Sequence, residues 1–150
     1  METMDTRQWL GRARTIEREI NALMRTKAEA RQRLLSITQN YASDGSKSTG
    51  KDPHKFDRLM ELEDRINAKI DELIDTKQEI TDAIQLLADG RQRTVLLDYY
   101  VRCMSMEQIA VEINYSYENV KKIRAKAIRA LEQGNPEKFT QKYPSECGRL

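Results

Sequence analysis

From Trp9 onward, apolar residues return at intervals alternating between four and three: Trp9, Ala13, Ile16, Ile20, Leu23, Lys27, Ala30, Leu34, Ile37, Tyr41, with Lys27 the one polar member. A second series, Phe56, Leu59, Glu63, Ile66, Ile70, Leu73, Lys77, Ile80, Ile84, Leu87, alternates in the same way. Such a repeat keeps one stripe of a helix facing a partner, which is the seam of a coiled coil. The chain is therefore expected to be all-α. Its composition agrees, being rich in Ala, Glu, Lys, Leu and Arg, with 33% charged residues and only six Gly and three Pro. Lys27, Glu63 and Lys77 in the seams either snorkel from a narrow interface or fix its register.

Between the two series, YASDGSKSTGKDPHK has no periodicity and holds two Gly, one Pro and four Ser/Thr, so a flexible loop is expected over 42–55, with a helix start near Asp52-Pro53. Residues 1–90 then read as an antiparallel helical hairpin. Paired residue numbers would add to either 93 or 100, and the sequence leaves both registers open. Charge is sorted along the chain. Residues 1–40 carry eight Lys/Arg against five Asp/Glu, and residues 56–90 carry four against ten. A basic arm attracts an acidic one, whereas two copies of the acidic arm repel.

Ala88-Asp89-Gly90 reads as a helix stop with Gly in a left-handed position. A distinct module then covers 91–133, and the stretch 134–150, without periodicity, reads as a disordered tail. RQRTVLLDYYVRC forms a helix with Val95, Leu96, Tyr99 and Tyr100 on its apolar side, at least one of the two tyrosines being core. Ser105 and Gln108 form a capping-box pair, so a short helix starts at Met106. Asn114 suits a left-handed turn, and Ser116 caps the next helix, SYENVKKIRAKAIRAL, which carries five cationic side chains and one acidic one. At 100° per residue, Val120, Ile123, Ala127 and Leu131 face inward, while Glu118, Lys122, Ala125 and Arg129 lie opposite with Lys121 beside them. Basic residues on an exposed helix are common. A capped two-turn helix and an Asn turn directly before them are less so, and together they form a helix-turn-helix pattern.

MSMEQIAVEINYSYENVKKIRAKAIRALE resembles the fourth conserved region of bacterial sigma factors, a helix-turn-helix that binds a promoter element. The resemblance covers about 91–133. It implies DNA binding, with the base-contacting positions at Tyr117, Glu118, Lys121 and Lys122. Tyr117 stands where the family often has Arg, and Asn114 where it often has Gly. No segment resembles the sigma regions that bind core polymerase or melt DNA. A long coil before a sigma-like module is similar to the layout of small phage and prophage regulators of late genes.

The function expected is a sequence-specific, DNA-binding transcriptional regulator, with Ser116, Tyr117, Glu118, Lys121, Lys122, Ala125 and Arg129 at its DNA surface. Double-stranded DNA is the expected partner. RNA polymerase and a second copy of the chain, joined through the coil, are further candidates. A small subunit of a phage DNA-packaging complex and a protein-binding adaptor are the rival readings. No apolar run approaches the roughly 20 residues that span a bilayer, and METMDTRQWLGRAR lacks the apolar core of a secretion signal, so a cytoplasmic location is expected. Cys103 and Cys147 would then be thiols, Cys103 as a small apolar filler. There is no phosphate-binding Gly-rich motif, and the single histidine, His54, has no Cys or His beside it. No enzyme, metal or cofactor is expected.

Overall fold

The computed structural model describes residues 4–44 and 54–135. Every regular element among them is helical: α1 (Thr6–Leu10), α2 (Arg12–Asp44), α3 (His54–Gln85), α4 (Gly90–Leu96), a π-helical turn (Leu97–Val101), α5 (Met106–Ile113) and α6 (Tyr117–Gly134). None of these helices is long and apolar enough to cross a membrane. At 33 and 32 residues, α2 and α3 are each about 50 Å long at roughly 1.5 Å per residue. Neither contains Gly or Pro, and both carry heptad apolar spacing from end to end.

Several boundaries differ from the sequence reading. The loop expected over 42–55 is shorter at both ends, because α2 continues through Asp44 and α3 begins at His54. Its remainder, with the Asp52-Pro53 start, lies outside the described residues, as does the tail from 136; Gly134, the tail's first residue, belongs to α6. Gly90 does not stop a helix in a left-handed conformation. It opens α4, and the Asp89 carboxylate caps that helix by accepting from the Arg91 amide at 2.9 Å.

The described residues pack as two compact units, one formed by 16–74 and the other by the residues up to 15 together with those from 75 onward. In the first, Glu19 Oε2 accepts from Lys69 Nζ at 2.8 Å, and Lys27 Nζ donates to Glu63 Oε1 at 2.8 Å. Numbers rise along α2 as they fall along α3. The paired numbers add to 88 and 90, closer to 93 than to 100 of the two sums that the sequence left open; at 100, Glu19 and Lys69 would be offset by twelve residues, about 18 Å along the axis. On α2, Ile16 and Ile20 are buried and Leu23, Lys27, Ala30 and Leu34 half-buried, as their spacing requires. On α3 the covered line is Leu59, Leu62, Ile66, Lys69 and Leu73, while Phe56 and Ile70 are exposed. Lys69 is held by acidic residues on both helices, Glu19 and Glu72, which raises its pKa above 10.5.

In the second unit, α1 is separated from α2 at Gly11, so Trp9 does not continue the seam as one helix. Trp9 is buried, with the Arg12 guanidinium 4.7 Å from its ring centroid. It belongs to the core of this unit. The helix of Val95, Leu96, Tyr99 and Tyr100 is α in its first half and π in its second, where the Arg102 amide donates to Leu97 O at 2.9 Å. Tyr100 is buried and Tyr99 half-buried, their rings edge to face at 4.8 Å. The chain leaves this turn through Cys103, whose φ of 57° makes it a turn residue as well as a half-buried one. Val95, Met106, Ile109, Ala110 and Val120 form one buried cluster, ringed by Tyr99, Met104, Ile113, Tyr115 and Ile123. α1, α4 and α5 each pack against α6.

Candidate nucleic-acid interface

Both ends of α5 are set by local chemistry. Ser105 Oγ accepts from the Gln108 amide at 3.2 Å, and Gln108 Oε1 accepts from the Ser105 amide at 3.0 Å. These reciprocal bonds satisfy two donors that the first turn would otherwise leave free. α5 ends at Asn114, left-handed at φ 59° and ψ 44°, and the Tyr115 amide returns to Ala110 O at 3.0 Å. The chain then extends through Ser116, whose Oγ accepts from the Asn119 amide at 3.2 Å and starts α6. Two helices are thus joined by a turn that neither can invade.

On α6, Val120, Ala127 and Leu131 are buried and Ile123 half-buried, with Ile128 joining the buried side. Ser116, Tyr117, Glu118, Lys121, Lys122 and Arg129 are exposed, and Ala125 is half-buried. The structure brings Lys121 and Tyr117 together, with Nζ 5.6 Å from the ring centroid. That contact fixes a cation over an aromatic face at the N-terminal end of the helix.

Three arginines near this surface carry roles that the spacing did not reveal. Arg124 is half-buried, its guanidinium 4.9 Å from the Tyr99 ring centroid and Nη1 3.7 Å from Met106 Sδ. One of the five cations of the α6 stretch therefore serves the interior. Arg14 lies 4.3 Å from the Tyr99 centroid and donates through Nη1 to Tyr99 O at 2.9 Å and Met104 O at 3.2 Å. Arg91 places its guanidinium 5.9 Å from the Tyr115 ring, adding a cation beside the α5–α6 turn. The position of Arg124 between Leu131 and Ile128 on the wheel was the one local signal; Arg14 and Arg91 act across long stretches of chain and leave none.

Asp98, in the π turn, is buried and pairs with Arg102 at 2.9 Å, and Glu112 of α5 lies 3.4 Å from the same guanidinium. Hydrogen bonds to both carboxylates push the Arg102 pKa further up. This cation stays charged and locked between the π turn and α5. His54, at the start of α3, is 3.8 Å from Asp57, and no three His, Cys, Asp or Glu among the described residues are grouped to hold a metal.

No curated protein and no solved structure matches the chain. A family model does, over residues 40–132, a span that takes in α3, α4, the π turn, α5 and nearly all of α6. The chain belongs to the DUF1492 family, described as proteins of unknown function.

Proposed function

We propose that this protein is a sequence-specific DNA-binding transcriptional regulator of phage type, in which α5 and α6 act as a sigma-like helix-turn-helix and α6 reads the major groove. One observation carries the reading. A capped two-turn helix, a left-handed Asn114 and a capped eighteen-residue helix leave Tyr117, Glu118, Lys121, Lys122 and Arg129 exposed along one side. In such a motif the N-terminal residues of the second helix reach base edges. Lys121 and Arg129 contact phosphates and set affinity. Glu118 accepts from cytosine N4 and Lys122 donates to guanine, which together set the base preference.

In this reading 16–74 is an antiparallel coiled-coil hairpin, supported by the Glu19–Lys69 and Lys27–Glu63 pairs. The hairpin positions or dimerises the reader, or presents a surface to RNA polymerase. Gel-shift competition tests the proposal: at about 150 mM salt, where nonspecific binding is weakened by counterion release, a phage promoter fragment is bound in preference to random DNA. Equal affinity for both removes the reading.

A further inference from the structure

Within 16–74 a second apolar line runs beside the one that joins α2 to α3. On α3 it consists of Phe56, Met60, Ile70 and Ile74, exposed by 64%, 62%, 37% and 60%; on α2 it includes Met24 and Leu35, exposed by 53% and 55%. Counting Glu63 and Asn67 on α3, and Ala28 and Arg31 on α2, both lines again step by four and three. That spacing suits another helix better than it suits water.

The chain's own pairing lies mainly on the opposite flank, and of the α3 line it engages Glu63, which accepts from Lys27. Leu62 and Lys69, half-buried, lie to one side of Ile66 and Leu73, and Glu19 meets Lys69 there. Met60, Asn67 and Ile74 lie to the other side and are exposed. In an antiparallel four-helix bundle each helix has a neighbour on both flanks. Here one flank of each helix is filled by the chain itself.

Charge identifies the occupant of the other flank. Asp57, Asp64 and Asp71 stand one per heptad along the outer edge of the α3 line, and Arg18, Arg25 and Gln32 stand at the same interval along the α2 line. All six are exposed, and among the described residues Arg18, Arg25, Asp64 and Asp71 form no ion pair. An antiparallel match of α2 with a foreign α3 sets Arg18 on Asp71, Arg25 on Asp64 and Gln32 on Asp57, and the same alignment brings Leu35 within about half a helical turn of Phe56. Facing two α2 lines would oppose arginines, and facing two α3 lines would oppose aspartates.

We infer that the occupant is a second copy of this chain, whose α3 packs on α2 and whose α2 packs on α3 about a two-fold axis parallel to the helices. Every contact then occurs twice. The inference needs only the α2–α3 pairing and is independent of the DNA-binding proposal.

Sedimentation equilibrium of the full chain without DNA tests it. The unmodified chain is a dimer in the micromolar range. R18E/R25E and D64R/D71R, each reversing four edge pairs per dimer, dissociate about tenfold more readily or worse, since like charges across such an edge repel, while helicity by circular dichroism is unchanged. An equimolar mixture of the two variants recovers the dimer, as does a chain carrying all four substitutions, because opposite charges face each other again. A monomer at every concentration overturns the inference, and so do an assembly larger than two, a dimer indifferent to both reversals, or a mixture that fails to recover.

Discussion

Arg14 Nη1 donates to the carbonyl of Tyr99 at 2.9 Å, across 85 residues of chain. The same nitrogen reaches Met104 O at 3.2 Å, and the guanidinium stacks on the Tyr99 ring. A π turn closing into a left-handed Cys103 leaves carbonyls without helical partners, and Arg14 supplies the donor. Arg14 therefore ties the first turn of α2 to the π turn and to the residues that lead into α5.

Arg14→Leu is expected to destabilise the protein by about 2–4 kcal/mol, the scale of two charge-assisted hydrogen bonds plus a stacked cation. Arg14→Lys should recover less than half, since an ammonium lacks the flat guanidinium face that covers the Tyr99 ring while donating to the two carbonyls. Urea denaturation midpoints measure both. A loss below about 0.5 kcal/mol for Arg14→Leu, within the range of an ordinary surface change, would show that the carbonyls find water just as well.

The turn between α5 and α6 makes a separable prediction. At φ 59° and ψ 44°, Asn114→Ala keeps a Cβ in the left-handed region but removes the polar side chain that lets Asn tolerate it, and should cost about 1 kcal/mol, whereas Asn114→Gly removes the Cβ as well and should cost less than the Ala change. Ser105→Ala removes one half of the capping box and should cost about 1 kcal/mol by itself. If Asn114→Gly is the worse of the two turn substitutions, the Asn side chain and not its backbone tolerance holds the turn.

Glu63 links stability to pH on the acid side. The hydrogen bond from Lys27, and after it the Lys27 charge, hold its pKa below 4.5. A depressed folded value means that the contribution is present above pH 4.5 and is lost as pH falls through the lower folded value. Glu63→Gln should flatten the melting temperature against pH in that acid window and leave the slope above pH 6 unchanged.

Tyr100 acts at the other end of the scale. Burial raises its hydroxyl above the ordinary 10.0. A raised folded value means that full stability persists below pH 10 and declines as pH climbs through the folded value. Tyr100→Phe should remove that alkaline decline; melting curves between pH 8 and 11 decide it.

The parts that local chemistry dictates were readable in advance. The Ser105–Gln108 box, the left-handed Asn114, the Ser116 cap and the inward side of α6 all depend on residues within a few positions of one another. The covered side of α3 was readable only approximately, because on a straight helix a 3.5-residue repeat drifts by about 20° per heptad. Leu62 and Lys69 consequently take the places assigned to Glu63 and Ile70. Arg14 on Tyr99, Arg91 on Tyr115 and the Trp9 burial depend on which distant segments meet, and no spacing rule reports that. The π turn is hidden for another reason: its residues, LDYYV, suit an α-helix equally well, and the extra residue is absorbed where packing and Arg14 allow it.

Lys121 and Lys122 are neighbours in sequence with different surroundings. Lys121 is drawn over Tyr117, and Lys122 lies on the line of Glu118, Ala125 and Arg129. If Lys121 contacts a phosphate, Lys121→Ala weakens binding to specific and random DNA alike and reduces the slope of log affinity against log salt by about 0.9. If Lys122 reads a base, Lys122→Ala costs about 1–3 kcal/mol on the preferred site, little on random DNA, and relaxes the preference at one base pair. Salt titrations of both variants on a selected site and a scrambled one separate the roles, and identical behaviour would mean that α6 does not divide phosphate contact from base reading in this way. Tyr117→Phe serves as the companion: it keeps the ring under Lys121, so a loss confined to one base pair assigns the hydroxyl to base contact, whereas no change leaves the ring as a support for the cation.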